Sequence, residues 1–309
     1  MLRIPSDRFF ARGVAALTLA FAANAAHALT VFACEPHWAA LVRELAPHAQ
    51  VRSATHAGQD PHHIEARPSL LAAMRQADVA LCTGASLEVG WLPMLQSRSG
   101  NGRVQAGAPG MLMAAEFVSL IDPRPGAGGS PFEGDVHPEG NPHFQLDPKR
   151  MLSVAEGVAK RLQQLDPARR DDIQRRWEAW SADWRGRIAQ WERKAAPLRG
   201  MRVAAQHTTF AYLWGWLGIE QVADLEPRPG TPPSAAHLQR LLEQTRAVPP
   251  RAVVVATYQD ARGAQWLAER VGSGVPVLQL PSSVTDDGPT ATLAGLYDQL
   301  LDRLLAVPR

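Results

Sequence analysis

The 309-residue chain carries 32 Lys+Arg against 30 Asp+Glu, and 46% of its residues are hydrophobic. Three of those arginines (Arg3, Arg8, Arg12) and one aspartate (Asp7) fall in the first 28 residues, so the remainder has 29 charges of each sign and is neutral. That balance excludes a strongly basic face for nucleic acid. Beyond the leader no stretch reaches about 18 uninterrupted apolar residues, which excludes a membrane-spanning helix.

The N-terminus reads as a secretory signal peptide over residues 1–28: the arginines precede an apolar run from Val14 to Ala26, and Ala26-His27-Ala28 is a small-x-small cleavage site. The mature protein is expected to begin near Leu29. No cysteine follows the cleavage site, so a soluble periplasmic protein without a lipid anchor is expected. About 280 mature residues are enough to bury a large core and form two domains.

In chain order, Leu29 to Cys34 reads as a buried strand, Trp38 to Leu45 as a helix and Gln50 to Thr55 as a strand. Ser69 can cap a helix through Leu70, Leu71, Met74 and Ala77, which leads into a strand from Val79 to Cys82. Strands alternating with helices in this way predict a parallel sheet. Cys34 and Cys82 each close one of these strands; two buried thiols, a disulfide and metal ligation all remain open. From Asp122 to Asn141 the composition changes to Pro, Gly and single polar residues, the signature of a long functional or mobile loop.

From Lys149 to Ala196 the chain is helical and highly charged, interrupted at Asp166-Pro167. Ile173, Trp177, Trp180, Trp184, Ile188 and Trp191 recur at offsets of three, four and seven, which predicts one face of a long helix buried against both domains. The alternation then resumes: a strand Met201 to Ala205, a helix Thr209 to Leu217, a helix Ala235 to Arg246 and a strand Ala252 to Ala256. A helix Ala261 to Val271, a strand Pro276 to Leu280 and a terminal helix Thr290 to Val307 complete the chain. The expected fold is α/β, with an N-terminal lobe over residues 29–148, a linking helix over 149–196 and a C-terminal lobe over 197–309. Each lobe is a parallel sheet flanked by helices.

Three histidines stand where such a fold binds ligands, beyond the carboxyl ends of strands. They are His62 in Asp60-Pro61-His62-His63, His143 in Asn141-Pro142-His143 and His207 in Ala205-Gln206-His207. Wide spacing from rigid elements suits a metal site built in a cleft, and the prolines restrict the approach of the chain to the first two. If the lobes face each other, His62 and His143 come from one and His207 from the other. His63 is expected to point elsewhere, and His137 to be a solvated loop residue with capture of metal as its alternative. His37, His48, His56 and His237 carry no such context.

The string Asp60-Pro61-His62-His63-Ile64-Glu65-Ala66-Arg67-Pro68-Ser69 resembles the first metal motif of the zinc/manganese solute-binding proteins of ABC transporters, the TroA-like or cluster 9 family. Gly140-Asn141-Pro142-His143-Phe144-Gln145-Leu146-Asp147-Pro148 is similar to its second motif, and Gln206-His207-Thr208-Thr209-Phe210-Ala211-Tyr212 to its third. The resemblance covers essentially the whole mature chain. It implies a monomeric binding protein, not an enzyme, that clasps one divalent ion between two lobes and delivers it to a membrane permease. Its ligands are then His62, His143 and His207. The family's manganese-preferring members tend to carry a carboxylate at the third position, so His207 points to Zn2+ rather than Mn2+, in keeping with the preference of three imidazoles.

Many relatives carry an aspartate at the end of the last strand, where this chain has Leu280-Pro281-Ser282-Ser283. The fourth ligand is therefore left open among Glu35, which follows the first strand directly, Asp286, Asp287 and water. The loop histidines of many zinc importers are also missing, apart from His137. The rival readings are a zinc scavenger or chaperone without a transporter, and a secreted zinc hydrolase with Glu35 or Glu65 as base. No His-Glu-x-x-His signature supports the latter.

Overall fold

The computed structural model describes residues 28–124 and 135–308. The expected signal peptide and most of the Gly/Pro loop lie outside the described residues.

Among the described residues, eight short strands form two four-stranded, wholly parallel sheets. In the first, β1 (Thr30–Ala33), β2 (Gln50–Ser53), β3 (Val79–Cys82) and β4 (Met111–Met113) lie in the order β2-β1-β3-β4. In the second, β5 (Arg202–Ala205), β6 (Glu220–Asp224), β7 (Ala252–Ala256) and β8 (Val277–Leu280) repeat that order as β6-β5-β7-β8. The order reverses beside the first strand of each lobe, and it is there that the loops open a crevice. Two strands carry no expectation from sequence. β4 is only three residues long, and β6 reads EQVAD, an edge strand that lacks a continuous apolar run.

In the first lobe, helices α1 (Pro36–Leu45), α2 (Pro68–Gln76) and α3 (Leu92–Ser99) connect the strands. Proline sits in the first turn of α1 and α2, where its missing N–H costs nothing. Ser69 therefore falls inside α2 rather than capping it; the cap position is Arg67. The expected linking helix is divided into α4 (Pro148–Leu165) and α5 (Arg170–Ala195), which pack on each other. The cause is Pro167: the residue before it is driven out of the helical region, and a short 3-10 turn over Pro167–Arg169 joins the two rods. In the second lobe α6 (Ala211–Leu217), α7 (Ala235–Thr245), α8 (Arg262–Val271) and α9 (Leu293–Leu305) follow. The side chains of Ser234 and Thr292 cap α7 and α9.

The core has three parts. Phe32, Met74, Cys82, Trp91 and Leu95 fill the outer face of the first sheet, and Leu225, Leu241, Val253, Val255 and Leu267 that of the second. The largest cluster is shared: it runs from Val31, Trp38 and Leu81 through Phe144, Val158, Trp184 and Trp191 to Leu213, Val254, Tyr297 and Leu300. The tryptophan stripe of α5 is part of this seam, with Trp184 stacked on Trp180 and edge-on to Tyr297. Trp191 donates to Asp298, and Trp184 to the carbonyl of Pro148, so the two indole N–H groups are satisfied inside the interface. Cys34 and Cys82 form a disulfide that ties the carboxyl ends of the adjacent strands β1 and β3.

Candidate metal centre

His62, His143 and His207 are brought together. One ring nitrogen from each lies within 4.8 Å of the others, and all three residues are buried. Nε2 of His143 stands 3.3 Å from Nε2 of His207. A tetrahedral zinc with Zn–N bonds of about 2.0–2.1 Å separates its ligand nitrogens by roughly 3.3 Å, so this approach matches one edge of such a site.

Each histidine is held by its own local structure. Asp60 accepts from the backbone N–H of His62 at 3.0 Å and from its ring Nδ1 at 2.6 Å, an Asx-type turn that also fixes the ring. Asn141 accepts from the backbone N–H of His143, while its amide donates to the carbonyl of Thr208 across the cleft. Gly140, just ahead, has φ +129, and a Cβ there would meet Leu120 at 2.7 Å and the Ile121 carbonyl at 2.8 Å. Only glycine lets the chain pass so close. Asp147 then caps α4 from the backbone N–H of Lys149 and Arg150, which anchors the short 3-10 turn Phe144–Leu146 behind His143. His207 has φ +65, a left-handed conformation unusual for a residue with a side chain and common where function over-determines the backbone. Its N–H donates to Asp224 and its ring Nδ1 lies 2.9 Å from Glu226.

These outer partners decide which lone pairs face the centre. A carboxylate on Nδ1 keeps the proton there, so the Nε2 lone pairs of His62 and His207 point inward, free for a cation. Burial drives His143 well below its ordinary pKa, reinforced by the neighbouring histidines. His207 goes the other way: burial alone would lower it, but the hydrogen bond and charge of Glu226 outweigh burial and raise it. A nitrogen-rich pocket backed by carboxylates is what a borderline-soft divalent ion requires.

Glu35 is not in the histidine group. It is buried in the first lobe, accepts from Thr83 Oγ1 at 2.9 Å and faces Glu88, whose two oxygens accept from the backbone N–H of Thr83 and Gly84. Burial and the adjacent Glu88 push Glu35 well above the usual carboxylate range. The sequence correctly places it at the strand edge, but the Thr83 hydroxyl and Glu88 turn it inward. Asp286 and Asp287 lie exposed in a turn and join no metal-ligating group among the described residues. His63 is largely exposed, with Nε2 3.4 Å from Asp135. His37 is buried against Ser283, and burial lowers its pKa to about 3.

His137 differs from its expected place as a solvated loop residue. Its Nε2 is 3.2 Å from Nε2 of His62, and its ring lies against that histidine with centroids 5.2 Å apart. The following Pro138-Glu139-Gly140 turn draws it back over the site, with the Gly140 N–H donating to the His137 carbonyl. Glu226 is the other residue sequence reasoning overlooks. The signal was present as two acids, Asp224 and Glu226, but reading them required recognising β6.

A family model described as the zinc-uptake complex component A, periplasmic, matches residues 31–307. The chain belongs to this family. Members are metal carriers rather than enzymes. A curated relative, the zinc-binding lipoprotein AdcA of Streptococcus pneumoniae, is 24% identical over 246 residues, covering 76% of this chain and 46% of the relative. The chain thus spans about half the length of the curated relatives it matches. Among solved structures, ZnuA superposes with a TM-score of 0.74 at 20% identity, covering 91% of this chain and all of that one. A manganese-bound periplasmic metal-binding protein from Candidatus Liberibacter asiaticus follows at 0.70 and 18%, covering 89% of this chain and 99% of that one. Both likenesses establish the two-lobed fold.

Proposed function

We propose that this chain is a periplasmic zinc-binding protein that captures Zn2+ in the cleft between its lobes and delivers it to the membrane permease of an ABC importer. The observation that carries this reading is the convergence of His62, His143 and His207 from separate loops, two of them already oriented by carboxylates. Zinc is favoured over manganese because an imidazole set suits zinc, whereas manganese prefers oxygen. Structural neighbours include manganese-bound and cadmium-bound proteins, and it is the donor set of this chain that favours zinc.

The signal peptide expected over residues 1–28 and the family's periplasmic description support this compartment. Among the described residues no helix is long and apolar enough to cross a membrane. A monomer that reaches the permease by diffusion fits these properties. The test is chelator competition on metal-stripped protein and on His143→Ala. One tightly held zinc per chain, lost in the variant, supports the reading; weak binding unchanged by the variant would overturn it.

A further inference from the structure

Resting on the three-histidine reading, we propose that His137 is the fourth protein ligand of the cargo ion, so that the bound metal is closed off by an imidazole rather than by water. Three observations carry it. First, His137 Nε2 approaches His62 Nε2 to 3.2 Å, the same spacing, within 0.1 Å, as that of His143 and His207. Both spacings match the ligand–ligand edge of about 3.3 Å in a tetrahedral zinc site. Second, the ring also faces His143, with centroids 6.3 Å apart and planes nearly perpendicular. Third, the His137 ring is largely buried beside the site and the Ala85 backbone hydrogen-bonds it, which holds the ring where it stands.

The proton inventory gives the ring two states. Asp60 fixes the proton of His62 on Nδ1, leaving a lone pair on Nε2. Without metal, the 3.2 Å contact is then a hydrogen bond in which His137 Nε2–H donates to His62 Nε2. When a cation takes the His62 lone pair that hydrogen bond is lost. His137 then moves its proton to Nδ1 and turns Nε2 to the ion. The ring must also shift, since it meets His62 but does not belong to the group whose nitrogens all lie within 4.8 Å. The segment that carries it is fastened just after the ring: Glu139 accepts from Ser86, and the Pro138 carbonyl accepts from the N–H of Arg124. His137 is thus a tethered ring beside a three-coordinate site, with Glu35, Asp286 and Asp287 all elsewhere.

A fourth imidazole has a consequence for specificity, because an all-nitrogen set penalises manganese more than three imidazoles and a water would. The experiment uses the metal-stripped mature protein, His137→Ala, His137→Gln and His143→Ala, each loaded with one equivalent of Zn2+ or Co2+. X-ray absorption fine structure counts the imidazoles on zinc, the visible spectrum reports the geometry of cobalt, and a chelator chase gives the zinc off-rate. Four imidazoles in the wild type, three in both His137 variants with zinc retained, and an off-rate faster by roughly tenfold or more are expected. An unchanged count of three with an unchanged off-rate would overturn the assignment of His137 while leaving the three-histidine site standing. Retention of tight zinc by His143→Ala would instead overturn the underlying reading.

Discussion

His207 Nδ1 and a carboxylate oxygen of Glu226 lie 2.9 Å apart, on loops that leave the neighbouring strands β5 and β6. The pair is buried, with side-chain exposures of 3% and 8%. Glu226 orients the ring and makes its inward nitrogen a better donor. Glu226→Ala should therefore weaken zinc by about 10–100-fold without removing any ligand. Titration against a chromophoric chelator checks this, and an affinity equal to wild type would sink the role given to Glu226.

The same pair sets the pH dependence. His143 and His137 are held neutral, the latter with its pKa lowered to about 3, so neither has a proton to lose at physiological pH. His207 is raised by Glu226 and holds its proton to a higher pH than a free imidazole. Zinc must displace that proton, so affinity should fall as pH drops through the raised value, beginning above the ordinary pKa of about 6.5. Glu226→Gln should move the onset to lower pH. A flat affinity profile between pH 5 and 8 would refute this account.

Zinc that binds only the folded state should stabilise it. At a free concentration of about 100 times Kd the gain is about 2.7 kcal/mol, or several degrees in Tm for a chain of this size. Differential scanning fluorimetry with and without chelator would show it, and His143→Ala should lose the shift.

The buried acids Glu35 and Glu88 predict a separate effect on the apoprotein. Burial raises both, Glu88 to about 7, so between about pH 4.5 and 7 the folded state binds more protons than the unfolded chain. The stability from this shift is fully present below the unfolded pKa of about 4.5 and is lost as pH rises through the folded values. Glu35→Gln removes one of the titrations and lets an amide face Glu88. Its apoprotein should lose less stability between pH 5 and 8 than wild type, read from urea midpoints, and its zinc affinity should stay the same. A large loss of affinity would return Glu35 to the metal.

The disulfide spans 48 residues of chain, and removing such a link costs about 2–4 kcal/mol by the loop-entropy argument. A Cys34→Ala, Cys82→Ala double variant should unfold at lower urea while still binding zinc. Unchanged stability would mean that the unfolded state is already restrained there.

Much of this arrangement is legible in the residues. Buried strands such as Ala252–Ala256 announce themselves as apolar runs, and the positions of His62, His143 and His207 follow from proline-framed turns and strand ends. Less legible are features set by tertiary packing. The polar edge strand β6 gains its identity from pairing with β5, and Glu226 becomes meaningful only once that pairing puts it beside His207. His137 is similar: its segment is polar and proline-rich, which reads as solvated, yet the turn at Gly140 returns it to the cleft. The division of the linker into α4 and α5 was signalled by Pro167, though not their packing side by side.

The continuous core through α1, α4, α5 and α9 also bears on how a carrier signals that it is full. Two domains joined by a flexible tether can clap shut around a ligand, but here any hinge would have to tear Trp184, Trp191 and Tyr297 out of a common apolar seam. Loaded and empty molecules should therefore have nearly the same outline. On the proposed function, the message read by a membrane partner would be written in the rim of loops above the histidines, and unloading would require that partner to pry at the rim rather than swing one half of the molecule away from the other.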